Sequence, residues 1–148
     1  MNYDEILKYY DALIDNDDDC ISLLSNTSAF VKQTIPGLNW CGFYLLKGEA
    51  LVLGPFQGKT ACTRIQLGHG VCGKSYQAQK VLNVPDVHRF TGHIACDEQT
   101  QSELVIPISG IGVFDFDSAL PDFFHPALEE FLLQVAQHLH IKLKAIDN

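Results

Sequence analysis

The apolar residues of this chain change their spacing twice, and this change limits the fold more than any other feature. Near both ends they recur at steps of three and four, and in between they alternate in short runs. The first spacing is typical of a helix with one buried side, and the second of a strand with one buried face. The pattern predicts helices over residues 3–14 and 126–146, with another between the acidic run 15–19 and Pro36.

The central part of the sequence divides into short strands joined by turn residues. The segment Gly54-Pro55-Phe56 is expected to leave the sheet, and only Ser109-Gly110 separates the last two strands, which is a poor two-residue hairpin. The predicted strands cover 40–46, 50–53, 63–67, 81–84, 103–108 and 111–117, with a short helix over 71–79.

Six strands in hairpins between terminal helices predict an α+β fold. We expect one domain over residues 1–148, with a central, mainly antiparallel sheet. The N- and C-terminal helices should pack on one face of the sheet, and the loops and the short helix on the other.

Composition excludes several classes of function. The chain has 148 residues, 47% of them hydrophobic, which suits a single core. Its start has no basic region followed by an apolar run, and no apolar stretch approaches the roughly 20 residues of a membrane helix. The net charge of −8, with only ten Lys plus Arg, argues against a nucleic-acid partner. We expect a cytoplasmic protein without a membrane partner, acting on a small molecule or another protein.

The cysteines allow burial or redox chemistry, but not a complete disulfide framework. There are five, an odd number, and no C-x-x-C pair occurs. Cys20 falls on the apolar stripe of the second helix and is predicted to be a buried hydrophobe. Cys41 falls in an apolar row of the first strand and is predicted to be packed. The others are Cys62, Cys72 and Cys96.

Strand alternation places Trp40 and Tyr44 on one face of the first strand with Gly42 between them. The glycine leaves a notch with aromatic walls. Two ordinary core aromatics are an equally good interpretation at this point.

Alternation in the last strand places Asp115 and Asp117 on one face and Phe114 and Phe116 on the other. Neighbouring carboxylates repel each other unless they are solvated or matched by a cation. The face is therefore either exposed to solvent or an acidic wall for an ammonium group, to which Glu103 could add a third carboxylate.

The long polar segment 85–101 contains the strongest candidate for a reactive thiol, Cys96. A loop of this length within a compact domain is usually functional or disordered, and a nearby protonated His would favour the thiolate. A metal site made by His88, His93 and Cys96 is a weaker alternative, because the spacing matches no standard zinc pattern. We therefore expect neither a metal nor a cofactor.

A series of short motifs resembles the free methionine-(R)-sulfoxide reductases, a catalytic branch of the GAF-domain fold. They span residues 39 to 118, and ordinary GAF sensor domains lack the three-cysteine arrangement. In order, the motifs are Asn39-Trp40-Cys41-Gly42-Phe43-Tyr44, Leu53-Gly54-Pro55-Phe56-Gln57-Gly58, Ala61-Cys62, Gly70-Val71-Cys72-Gly73, Val84-Pro85-Asp86-Val87-His88, Gly92-His93-Ile94-Ala95-Cys96-Asp97, Ser102-Glu103 and Phe114-Asp115-Phe116-Asp117-Ser118.

The resemblance implies a thiol mechanism without a cofactor. Cys96 would attack the sulfoxide and become a sulfenic acid, and a second thiol would convert that acid to a disulfide. Cys62 corresponds to the main resolving position and Cys72 to an auxiliary one. Thioredoxin would then reduce the disulfide by exchange.

The resemblance also assigns the substrate-binding positions. Trp40 and Tyr44 would surround the S-methyl group, while Glu103, Asp115 and Asp117 would hold the ammonium group and assist proton delivery. GAF domains often pair through their terminal helices, so a homodimer is possible. The Ser109-Gly110 hairpin is shorter than usual in the family, and Cys41 is an additional thiol. The alternative function is a non-catalytic GAF module that binds a small ligand as a sensor.

Overall fold

The computed structural model describes residues 1–146 and contains four α-helices and six strands. The helices are α1 (Tyr3–Ile14), α2 (Cys20–Thr34), α3 (Gly70–Ala78) and α4 (Pro126–Ile146), and a short 3-10 helix covers Val87–Arg89. The strands are β1 (Leu38–Lys47), β2 (Ala50–Gln57), β3 (Arg64–Gln66), β4 (Leu82–Val84), β5 (Ser102–Ile108) and β6 (Gly112–Ser118). The two final positions of the predicted 1–148 domain lie outside the described residues.

All six strands form one antiparallel sheet in the order β3-β2-β1-β6-β5-β4, which confirms the predicted α+β fold. The first two helices begin where capping side chains satisfy their free N–H groups. Asn2 Oδ1 accepts a hydrogen bond from Glu5 N at 3.1 Å, and Asp19 Oδ1 accepts one from Ser22 N at 2.9 Å. The acidic run thus ends in the cap of α2, as predicted.

The sheet has a different apolar cluster on each face. On one face α1, α2 and α4 cover a core that includes Phe43 and Phe114, whose ring centroids are 4.1 Å apart. On the other face Tyr44 and Val105 belong to a smaller cluster with Val71 of α3. The terminal helices therefore share one face, and α3 with the long loop covers the other, as expected.

Strand β2 is longer than the sequence suggested, and the prediction that Gly54-Pro55-Phe56 leaves the sheet is wrong. Phe56 pairs with Gly42 after a change of register, so that two residues of β2 lie opposite one of β1. This β-bulge accommodates Pro55, which has no N–H to give to the ladder. The bulge keeps Phe56 in the sheet beside the aromatic notch.

Two further local predictions are wrong. Cys20 is exposed, because it is the first residue of α2 and the buried stripe of that helix begins at Leu23. The β5–β6 connection has three residues rather than two, since Ile111 N donates to Ile108 O at 2.9 Å in a tight turn. Gly110 adopts the positive φ of 80° that this turn requires.

Among the described residues, no helix is both long and apolar enough to span a membrane.

Candidate active site

The pairing of β1 with β6 brings the aromatic notch and the acidic strand face together. Trp40 lies opposite Asp117, and Gly42 lies opposite Asp115. Since these residues all lie on the sheet face away from the terminal helices, aromatic and acidic side chains form adjacent walls of one cavity. Strand alternation offered each wall as one of two interpretations, and it did not indicate that the two would be neighbours.

The aromatic wall consists of the rings of Trp40 and Tyr44, and a third ring, that of Phe56, packs against it. The Trp40 ring stacks on Tyr44 with centroids 5.9 Å apart and on Phe56 with centroids 5.3 Å apart. Their polar atoms are already used, because Trp40 Nε1 donates to Lys59 O and Tyr44 Oη donates to Cys62 O. Phe56 was not predicted to contribute here, because its segment was expected to leave the sheet.

The acidic wall is buried, so the interpretation of this strand face as solvent-exposed is wrong. Glu103 and Asp115 are only 6% and 5% exposed. Asp117 lies opposite Glu103 in the β5–β6 pairing. Oδ1 of Asp115 and Oδ1 of Asp117 are buried without a hydrogen-bond partner among the described residues. Buried polar atoms of this kind are rare, and at a cavity they indicate a place for a donor group.

Burial and mutual repulsion favour the protonated form of these acids. Burial, reinforced by the charge of Asp117, raises the pKa of Glu103 to about 8. The pKa values of Asp115 and Asp117 are also raised well above normal, by burial first and then by a neighbouring carboxylate. The cavity therefore disfavours three negative charges, and a cationic ligand would relieve the repulsion.

The cysteines near the cavity differ in their surroundings from Cys41. A disulfide joins Cys62 to Cys96 across 34 positions of the sequence, with 5.5 Å between the Cα atoms. Cys72 is buried at the first turn of α3, and its Sγ lies 4.0 Å from Oε2 of Glu103. Cys41 belongs to the core on the opposite face, where its Sγ donates to Ser28 O at 3.2 Å. The predicted packing of Cys41 is confirmed.

His93 contacts the acidic wall, a contact that was not predicted from the sequence. Its Nε2 lies 3.5 Å from Oε1 of Glu103, and its side chain is 14% exposed. Burial lowers the pKa of His93. Since the pKa of Glu103 is raised, both groups are mainly neutral near pH 7, and we treat the contact as a polar contact of neutral groups rather than an ion pair. No local sequence signal joins a loop histidine to a strand residue ten positions away.

The residues proposed for a metal site do not converge. His88 is exposed, and Cys96 is bonded to Cys62. In the described part of the chain, the one group of close potential ligand atoms consists of Cys72, Glu103 and Asp115.

The structure gathers the predicted site residues around one cavity. Cys62 joins it through its bond to Cys96. The other seven line the cavity directly: Trp40, Tyr44, Cys72, Cys96, Glu103, Asp115 and Asp117. Aromatic rings, unpartnered carboxylate oxygens and a disulfide thus face the same space. This arrangement suits thiol redox chemistry on a ligand that has one apolar group and one cationic group.

Comparison with known proteins agrees with this geometry. A family model described as GAF domain matches residues 19–143. The free methionine-R-sulfoxide reductase of Escherichia coli is 41% identical over 149 residues, covering 98% of this chain and 90% of that protein. The enzyme of the same name from Saccharomyces cerevisiae is 39% identical over 153 residues, covering 93% and 85%. A solved free methionine-R-sulfoxide reductase from Neisseria meningitidis, in complex with its substrate, superposes with a TM-score of 0.93 at 36% identity, covering 98% of this chain and 90% of that one.

Proposed function

This chain belongs to the GAF-domain family and is an enzyme of the free methionine-R-sulfoxide reductase kind, and on that premise we propose that it reduces free L-methionine-(R)-sulfoxide with its own cysteines. The observation that carries the proposal is the meeting of three features at one cavity. They are the aromatic wall, the unpartnered carboxylate oxygens and the Cys62–Cys96 disulfide.

The cavity suits both ends of a small zwitterionic sulfoxide. The S-methyl group would lie against Trp40 and Tyr44, which offer apolar ring faces. The ammonium group would donate to the unpartnered oxygens of Asp115 and Asp117. A methionine sulfoxide within a polypeptide has no free ammonium group, so this arrangement selects the free amino acid.

In the first chemical step, the Cys96 thiol reduces the substrate. Its sulfur attacks the sulfoxide sulfur and the S–O bond breaks. The oxygen is transferred to Cys96 as a sulfenic acid, and methionine leaves. The substrate sulfur gains two electrons and the Cys96 sulfur loses two, so the step needs no external cofactor.

In the second step, the Cys62 thiol attacks the Cys96 sulfenic acid. A disulfide forms and water leaves, which would return the protein to the bonded state of Cys62 and Cys96. Thioredoxin would restore both thiols by disulfide exchange. Cys72, buried beside Glu103, would be an auxiliary thiol.

Glu103 is the proton donor that we favour for the sulfoxide oxygen. Its raised pKa of about 8 keeps the carboxyl protonated near pH 7. His93, partly exposed and 3.5 Å from it, would return the proton from solvent after each turnover.

The test is NADPH oxidation coupled through thioredoxin reductase and thioredoxin. We expect turnover with free L-methionine-(R)-sulfoxide, and little with the S epimer or with N-acetyl-methionine-(R)-sulfoxide. The N-acetyl compound is the matched control, because its α-nitrogen is an uncharged amide instead of an ammonium group. Absence of turnover with the free R epimer would contradict the proposal. Binding of that compound without turnover would indicate a sensor module instead.

A further inference from the structure

Asn39 reaches from the sheet to the loop that carries Cys96. Its Nδ2 donates to Oδ2 of Asp97 at 3.0 Å and to Oγ1 of Thr100 at 3.2 Å. Asp97 is the residue directly after Cys96. The side chain of Asn39 therefore ties the segment next to Cys96 to strand β1, independently of the disulfide.

The backbone at Asn39 explains how its side chain reaches this loop. The β1–β6 register shifts between Leu38 and Trp40, so Asn39 is the residue that has no partner in β6. A β-bulge re-aims a side chain away from the regular alternation of a strand. Asn39 directly precedes Trp40, so regular alternation would have placed its side chain on the opposite face of the sheet from Trp40.

The other end of the Asn39 amide also indicates a role beyond stability. Its Oδ1 is buried and has no hydrogen-bond partner among the described residues. Leaving a buried acceptor unpaired costs stability. Local sequence choices that cost stability are expected mainly at functional sites. Here the same amide places two donor bonds on the loop that carries Cys96.

We propose that Asn39 is a positioning residue, which holds the Cys96 loop where the Cys96 sulfur meets Cys62. The bond to Asp97 matters most, because a hydrogen bond to a charged acceptor is stronger than one between neutral groups. Once the disulfide is reduced, Asn39 would keep the two sulfur atoms close. The link to catalysis rests on the proposed function, but the geometric part does not.

The first test needs no methionine sulfoxide. The Cys62–Cys96 pair is equilibrated with mixtures of reduced and oxidised glutathione, and the fraction of disulfide is measured by thiol alkylation and mass. Asn39→Ala should lower the equilibrium constant for disulfide formation by about tenfold, the effect of one hydrogen bond to a charged group. If Asn39→Ala does not fold, Asn39→Ser is measured instead, since its side chain is too short to reach Asp97. A value equal to wild type would overturn the proposal.

Exchanging the two side chains gives a sharper test. Asn39→Asp places two carboxylates together. In Asp97→Asn, the one amide oxygen at position 97 accepts from Gln99 N, so its NH2 group faces the NH2 group of Asn39. Each single variant should therefore form the disulfide less readily. In the double variant, the amide at position 97 can donate to the carboxylate at 39, while its Oδ1 still accepts from Gln99 N as Asp97 does. We expect the double variant to recover most of the wild-type equilibrium constant. A double variant as impaired as the two single changes combined would refute the pairing.

A matched control separates positioning from general stability. Tyr10→Phe removes a buried hydrogen bond to Thr27 in the core on the other face of the sheet. It should lower the unfolding midpoint without changing the glutathione equilibrium. In the coupled assay, Asn39→Ala should lower kcat more than it raises KM, because the loop positions the thiol rather than the substrate. If the wild type has no activity, the proposed function fails, while the glutathione measurements still decide the role of Asn39.

Discussion

Glu103 illustrates how burial can suit a residue to the proton-donor role that we propose for it. It is 6% exposed and lies opposite Asp117 in the sheet. Both the loss of solvent and the neighbouring charge disfavour its ionised form, and its pKa rises to about 8. A carboxyl group that is still protonated near pH 7 can act as a general acid, whereas an ordinary glutamate cannot.

The pH dependence of turnover tests this role. The donor must carry its proton in the free enzyme, so kcat/KM should fall as the pH rises through about 8, the pKa of Glu103. Glu103→Gln keeps the shape but cannot transfer a proton, and it should lower kcat by roughly 100-fold or more. The measurement is the coupled rate at saturating thioredoxin, with substrate well below KM for the pH profile and saturating for the kcat of the variant. A Glu103→Gln variant with the wild-type rate would exclude Glu103 as the acid.

His93 allows a separate test of proton return. His93→Ala should slow turnover by roughly 10-fold, at the lower end of effects for proton-transfer residues. Imidazole in the buffer should restore part of the rate, since the small base can enter the space left by the side chain. The control is His88→Ala, because His88 is exposed and does not line the cavity. No rescue by imidazole would indicate that His93 only supports the loop.

At the level of elements, strand alternation explains what the sequence could predict. It correctly separated Trp40 and Tyr44 from Cys41, and Asp115 from Phe114, because side chains alternate strictly in a regular strand. It failed where the strands are irregular. The bulge near Gly42 extended β2, and the bulge at Asn39 turned a side chain towards the loop.

Contacts between the long loop and the sheet could not be predicted either. The pairs His93–Glu103 and Asn39–Asp97 depend on how the loop folds back on the cavity. No periodicity encodes that path. The helix prediction failed at Cys20, since an apolar stripe does not show at which residue of a helix burial begins.

The bulge near Gly42 provides a test at this scale. A Cβ at position 42 would lie 2.2 Å from the Cβ of Phe56, so the strands would have to separate. Gly42→Ala should destabilise the protein by about 2–3 kcal/mol, as expected for overpacking, and raise KM by disturbing the Trp40–Phe56 stack. The measurements are urea unfolding and the coupled assay.

Gly48→Ala is the matched control for this change. Gly48 lies in the β1–β2 turn with a φ of 65° and has no atom near the position of an added Cβ. It should cost only the backbone strain of an alanine at positive φ, about 1 kcal/mol, with no effect on KM. Equal effects of the two substitutions would mean that close packing at Gly42 is unimportant.

Across the whole molecule, the sheet separates the helix-covered core from the cavity that we propose as the active site. The three long helices cover the face with Phe43 and Phe114, and the cavity lies on the other face. The large core on one face can therefore offset the free-energy cost of burying several acids on the other.

A single catalytic domain, a cytoplasmic location and a homodimer stay predictions. Tyr9 of α1 and Ile141 of α4 are exposed apolar side chains that a homodimer would bury. Sedimentation would measure the oligomeric state and so test this prediction.

The buried acids should also make global stability depend on pH. In the folded protein the pKa of Glu103 is raised from 4.5 to about 8. Between these values the folded state binds more protons than the unfolded state, so the free energy of unfolding falls as the pH rises. Thermal unfolding should show a lower midpoint at pH 8 than near pH 5, and Glu103→Gln should reduce the difference. A midpoint that rises over this interval would contradict the protonated state of the acids.

The central claim is that Cys96 receives the oxygen of the substrate. The most direct test uses the reduced Cys62→Ser/Cys72→Ser variant, in which neither partner thiol can form a disulfide with Cys96. It is mixed with free L-methionine-(R)-sulfoxide and dimedone, and the products are identified by mass spectrometry. We predict one methionine released per chain and a dimedone adduct on Cys96. A variant that also carries Cys96→Ser should give neither product. Methionine release without an adduct on Cys96, or undiminished release in the Cys96→Ser protein, would contradict the account.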